Sequence, residues 1–206
     1  GPNTNTAMED GIVGIETIMR SGKLQPENIT NYTKIVFKDR LEILPSFKGE
    51  KLEYEEIKQN YPEIINLANR YYDLVFVDLD AELGETITEQ ILQNSNLVIA
   101  NLSQRLVSIN KFMELREEQP MFNSKKVLLL INRYDKFSKY TIKNITRYMG
   151  EKNKVLTIPY NTLFFEACEE AKVPDLFLRL RRSIDEEDRN YIFIQEVKRA
   201  SDAIIY

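Results

Sequence analysis

The sequence predicts an α/β fold, a mostly parallel sheet flanked by helices on both faces. Three observations carry that expectation. The runs DLVFVDLD, NLVIANLS, KKVLLLIN and KVLTIPY are apolar along their centres, the pattern of strands covered on both faces rather than one. Segments of helical length separate them, and strand-helix-strand spacing calls for parallel strands joined by right-handed crossovers. No Gly/Ser-rich linker or low-complexity tract divides the 206 residues, so one domain over 1–206, closing with a helix over 186–206, is the expected organisation.

Taken in chain order, GIVGIETIMRSGKL places Ile12, Ile15, Ile18 and Met19 on one helical face and stops at Gly22, a glycine end signal. TKIVF and RLEIL flank Lys38-Asp39 and read as a hairpin or one bent strand. Between 51 and 70 the spacing of Leu52, Ile57, Ile64, Ile65 and Ala68 predicts helix, with a break or restart at Pro62. After the run at 73–80, helices are expected over 86–93, 104–118 and 138–149, alternating with the remaining strands. Beyond Pro159 the pattern is helical over 162–171, 174–182 and 186–205.

Composition narrows the chemistry. The formal charge is -4 and the pI about 5.2, so there is no strong nucleic-acid signal. The single cysteine, Cys168, rules out an internal disulfide and a CxxC zinc site, which points to a reducing, cytoplasmic setting. The chain has no histidine, which removes Ser-His-Asp and Cys-His hydrolysis and His-ligated metals. No apolar run reaches the about 18 residues that span a bilayer. Gly1-Pro2 has the look of a protease-cleavage scar. The cations Lys136, Lys139, Lys143 and Arg147 read as a solvated helical face, and LRLRRS is followed at once by acidic residues. Weak or no direct membrane binding is therefore expected, with recruitment to a membrane or cell pole left to partners.

In an open parallel sheet, ligands bind beyond the carboxyl ends of the strands. The residues there are Asp78 and Asp80, then Asn101 and Ser103, then Asn132, Arg133, Tyr134 and Asp135, then Tyr160 and Asn161. A hydrophobic strand ending in aspartate is the arrangement that orients magnesium, usually through water. It equally ends strands for solvation. An asparagine at a strand end can offer a purine edge both a donor and an acceptor, or can make a turn. The seven glycines form no GxxxxGK[ST] loop, the pattern that cradles phosphate with backbone N–H groups and a lysine. FKGEK at 47–51 is the nearest lookalike and reads as an exposed turn.

Taken together, the order YDLVFVDLDAELGE, a helix, SNLVIANLSQ, KVLLLINRYD and VLTIPYN resembles the MinD/ParA family of deviant-Walker P-loop ATPases. Within it the chain is most similar to divergent MinD-like proteins of Gram-positive bacteria and to the TadZ/CpaE proteins that position Tad pili. The resemblance runs over roughly 11–184. It implies a P-loop NTPase-like fold lacking its first βαβ unit. It places Asp78 at the Walker B position beside magnesium, with Asp80 as a second candidate, Asn132 with Arg133 beside adenine, and Pro159, Tyr160 and Asn161 along the same edge. Gly84 lies six residues after Asp78, a departure from the family's D-x-x-x-G. ATP and Mg²⁺ are the implied cofactors of a complete parent, with none expected to bind tightly to this chain. The implied partners are a second copy and proteins of a positioning, pilus or secretion apparatus. The alternatives are a catalytically inactive interaction module on the same fold, and a receiver-like domain with an acidic pocket at Asp78 and Asp80.

Overall fold

The computed structural model describes residues 6–45, 51–79, 86–119, 121–124, 127–151, 155–181 and 185–206. They gather into two compact units, Gly1–Asn94 and Ser95–Tyr206.

The first unit begins with α1 (Thr6–Arg20). Its apolar face buries Ile12 and Ile15, and the helix ends two residues before Gly22, whose φ of 67° is the left-handed conformation glycine adopts cheaply. Gly14 faces the Tyr32 ring so closely that a Cβ there would lie 2.6 Å from Cε1, so this helix position needs a residue without a side chain. A 3-10 turn over Pro26–Asn31 buries Ile29. The two β-rich runs form an antiparallel hairpin, β1 (Lys34–Phe37) and β2 (Leu41–Ile43). Asp39, at φ 61°, turns the corner. The expected helical stretch divides into α2 (Lys51–Lys58) and α3 (Tyr61–Tyr71), with Pro62 in the first turn of the second. Proline is tolerated there because that N–H has no partner in the helix. Helix α4 (Thr86–Asn94) turns Ile91 and Leu92 inward.

Ile15, Ile29, Ile64 and Ala68 make the centre of this unit, with Tyr32, Leu44, Tyr72 and Val75 packed against it. A polar clamp ties the hairpin to the end of α3. The Glu42 carboxylate accepts from the Thr33 hydroxyl and from the Tyr72 hydroxyl, each at 2.5 Å. Burial, followed by the bond to Glu42, pushes the Tyr72 pKa up to about 12, since a phenolate there would be poorly solvated and face a carboxylate.

The run at 73–79 departs from expectation. It is extended, yet among the described residues it joins neither sheet, and Leu74 and Phe76 are 51% and 64% exposed. Val75 alone reaches the core cluster. An apolar run predicts a doubly covered strand only where neighbouring strands supply the ladder, and neither sheet supplies one here.

The second unit carries the parallel sheet, in the order β3-β4-β5: β3 (Val98–Ser103), β4 (Val127–Tyr134) and β5 (Val155–Pro159). Both ladders are parallel, with Val98 opposite Val127 and Leu129 opposite Val155. Leu129 and Ile131 on β4 are buried together with Leu102 and Leu156 of its neighbours. Helix α5 (Leu106–Glu118) packs on β3 through buried Ile109 and Phe112, and short α6 (Met121–Ser124) buries Phe122.

Helix α7 (Ile142–Met149) is capped by the Thr141 hydroxyl at one end and by left-handed Gly150 at the other. The sequence placed its start near 138; turns held by Asp135 and Ser138 occupy that stretch instead. Helices α8 (Thr162–Glu169) and α9 (Val173–Leu180) pack through Ala167, Leu176 and Leu180. The last helix, α10 (Tyr191–Ile205), lies against β5, stacks Phe193 on Phe177 and packs it at a tilt against Phe164. It starts five residues later than 186, because 186–190 form turns.

Tyr72→Phe should cost about 1–2 kcal/mol in urea unfolding, because Glu42 loses a donor. The folded-state pKa of Tyr72 is raised, so its contribution is complete below the ordinary tyrosine value near 10 and disappears as pH climbs through about 12. Stability of the native chain should therefore fall more steeply than that of the Phe variant between those values, measured by denaturant midpoints at stepped pH.

Candidate functional site

The carboxyl edge of β3-β4-β5 collects most of the polar residues singled out from the sequence. The register sets Ser103 level with Asn132, and Asn132 level with Ile158. The Asn132 side-chain amide donates to the side-chain Oδ1 of Asn101 at 3.2 Å. Two asparagines from adjacent strands are thereby held side by side at the rim.

Immediately after Asn132 the ladder breaks. Arg133 takes φ 52° and drops out of register, so Tyr134 rather than Arg133 faces Pro159. A non-glycine residue in the left-handed region costs on the order of 1 kcal/mol and is commonest beside functional sites. The extra residue turns the backbone away from the sheet, leaving the Arg133 side chain exposed. Tyr160 follows β5, donates its N–H to the Tyr134 carbonyl at 3.4 Å, and is 55% exposed.

The next link is Asn161. Its side-chain Oδ1 caps α8 by accepting from the Phe164 N–H at 2.9 Å, while its side-chain amide donates to the Asn190 Oδ1 at 2.8 Å. Asn190, 7% exposed, donates in turn to Asp188 at 2.9 Å. Asn161 and Asn190, with Tyr160, Thr162, Leu163 and Arg189, line a cavity of about 150 Å³. The N-terminal ends of α8 and α10 and the Arg189 guanidinium give it a positive rim, offset by Asp188 behind Asn190. Such a surface can accept a polar ring or an anionic group through side-chain amides.

The structure thus brings Asn132, Arg133, Pro159, Tyr160 and Asn161 to one edge of one unit. Asp78 lies in the other unit, exposed at the end of the unpaired run, and Asp80 and Gly84 lie outside the described residues. Among the described residues no group of three or more Cys, Asp or Glu is placed to hold a metal, and no helix is long and apolar enough to cross a membrane.

Sequence reading missed Arg189 and Asn190, which sit just after an acidic run, and it gave Gln104 no role. The Gln104 side chain donates to the carbonyls of Asp135 and Tyr140 and accepts from the Asp135 N–H, tying the loop after β4 to the end of β3. The S-Q-R run after β3 was the available signal, since a side chain with both a donor and an acceptor at a strand end can bridge neighbouring loops. Elsewhere, Leu163, Glu166, Ala167, Glu170, Lys172, Asp175, Leu176 and Arg179 line an open depression of about 370 Å³ between α8 and α9, with charges of both signs.

Asn161→Ala removes a helix cap and leaves buried Asn190 short of a donor, and should cost about 2 kcal/mol. Asn161→Ser keeps a capping oxygen and should cost about half as much. Thermal unfolding of the variants separates the cap from the Asn190 link, and equal losses for both would contradict this assignment.

No protein-family model matches the sequence, and no curated protein matches it. Solved structures do. The ParA family ATPase from Chlorobium tepidum superposes with TM-score 0.64 over 78% of this chain and 66% of that one, at 17% identity. The cell division ATPase MinD of Pyrococcus furiosus matches with TM-score 0.60 over 93% of this chain and 80% of its own, at 14% identity. MinD of Pyrococcus horikoshii, solved with Mg-ADP, matches with TM-score 0.57 over 86% and 78%, at 15% identity. At such identities the likeness speaks for fold alone, and the chain shares the α/β fold of these MinD and ParA ATPases.

Proposed function

We propose that this chain is part of a MinD/ParA-like ATPase that positions a cellular apparatus through ATP-dependent pairing of two copies. The observation that carries the reading is the carboxyl rim of the sheet, where Asn132 is held by Asn101, Arg133 bends the strand, and Tyr160 and Asn161 border a polar cavity. That rim is where an open α/β sheet receives nucleotide.

In this reading the Asn132 amide contacts the adenine edge. Its bond to Asn101 fixes which face of the amide is presented, and the exposed Tyr160 ring flanks the base. Asp78 is the carboxylate for magnesium in a complete parent. The donor set fits the base end of a nucleotide better than its phosphate end, because this sequence contains no glycine-rich lysine loop to surround a triphosphate. When bound, ATP with Mg²⁺ supplies a phosphoanhydride bond whose hydrolysis would release paired copies. The setting is cytoplasmic, and the partners are proteins of a division, partition or Tad-pilus-like apparatus. Such partners would carry the protein to a membrane or cell pole.

The chain of 206 residues should show no turnover above background when incubated with ATP and Mg²⁺ and assayed for released phosphate. Turnover that disappears in Asp78→Ala would overturn this, and would make the chain itself a complete catalyst.

A further inference from the structure

The run at 73–79 is extended, yet among the described residues it joins neither sheet. Its pleat sends Leu74 and Phe76 to one side and Val75 to the other. Val75 packs on the core of its own unit, while Leu74, Phe76 and Val77 are exposed apolar side chains. A segment held along one face in this way offers a neighbour two things at once. It presents a row of backbone N–H and C=O groups, and it presents apolar surface that gains nothing from water.

The border strand β3 has the complementary need. In the order β3-β4-β5 it carries a ladder on one side only. Its six residues, VIANLS, contain no charge and no proline, the devices that ordinarily keep an open edge from accepting a strand. The other border differs, since β5 ends in Pro159 and α10 lies against it. Parallel sheets are normally covered on both faces, and the cover over β3 is incomplete. Leu106, one turn ahead of buried Ile109 on the helix packed against β3, is still 40% exposed.

We infer that two copies of this chain pair by strand exchange, the run at 73–78 of each adding to the free edge of β3 in the other. One sequence supplies both the strand and the edge, so a two-fold arrangement satisfies each of them twice with no further partner. Charge selects β3 over self-pairing of the run. Antiparallel pairing of two such runs sets Asp73 against Asp78 at both ends, which is repulsive, whereas β3 sets no acid against either. Leu74, Phe76 and Val77 would bury roughly 300 Å² of each copy, and the accepting edges a similar area, which brings the total to roughly 1,200 Å², the low end for a stable pair. This pairing needs no ATP, unlike the one proposed above.

Sedimentation velocity of the chain without nucleotide should show a dimer that dissociates on dilution. Hydrogen exchange should find amides within 74–77 and 99–102 protected together, and dilution should release both sets. Phe76→Ser changes an exposed side chain and should weaken the dimer roughly 100-fold, tenfold from each copy, with circular dichroism unchanged. Leu74→Ser should act in the same direction. The inference is overturned by a monomer at every concentration, by a dimer whose amides at 74–77 exchange freely, or by a dimer insensitive to both substitutions. Protection at 74–77 that persists on dilution marks pairing within one chain and overturns it too. A dimer that forms only with ATP and Mg²⁺ overturns it and leaves the proposed function standing, whereas a strand-exchanged dimer that binds no ADP upholds it and removes that function.

Discussion

Hydrogen bonding on both sides of β4 is the constraint on which the second unit depends. The strand is paired with β3 along one edge and β5 along the other, so its backbone is satisfied only in one register, and that register sets every rim residue. Ile131, fully buried, fixes the strand's faces. Where the ladder slips, at Arg133, the chain leaves the sheet with Asn132 still in line and the following loop redirected. The paired asparagines follow from the regular register before that break, and the turn toward Tyr160 and the braced loop after β4 follow from the break itself.

Elements whose residues carry their own partners were legible in the sequence. The apolar runs at β3, β4 and β5, the hairpin, and the proline restart at α3 formed where periodicity and turn chemistry placed them. The helix starts at α7 and α10 were misplaced, because aspartate and serine side chains satisfy backbone N–H groups in turns as readily as a helix does. The candidate rim was legible in part. Strand-end residues could be named from topology, but Arg189 and Asn190 reach it from a distant loop, and nothing in their local sequence announces that.

The run at 73–79 shows the limit of such reading from the other side. DLVFVD has strand composition, yet composition encodes only a preference for pairing. The pairing itself needs a neighbour. Val75 packs on its own unit while Leu74 and Phe76 face outward, so Asp78 stands at the end of an extended segment rather than a fixed strand. Orientation of a carboxylate toward a metal requires that rigidity.

In the proposed function the carboxyl rim of β3-β4-β5 receives the base of an adenine nucleotide. An amide-resolved NMR titration of the chain with ADP should then give weak, saturable shifts at the side-chain amides of Asn132, Asn101 and Asn161 and at the backbone of Tyr160, with the α8–α9 depression silent. Shifts confined to that depression, or none at the rim at millimolar nucleotide, would contradict it.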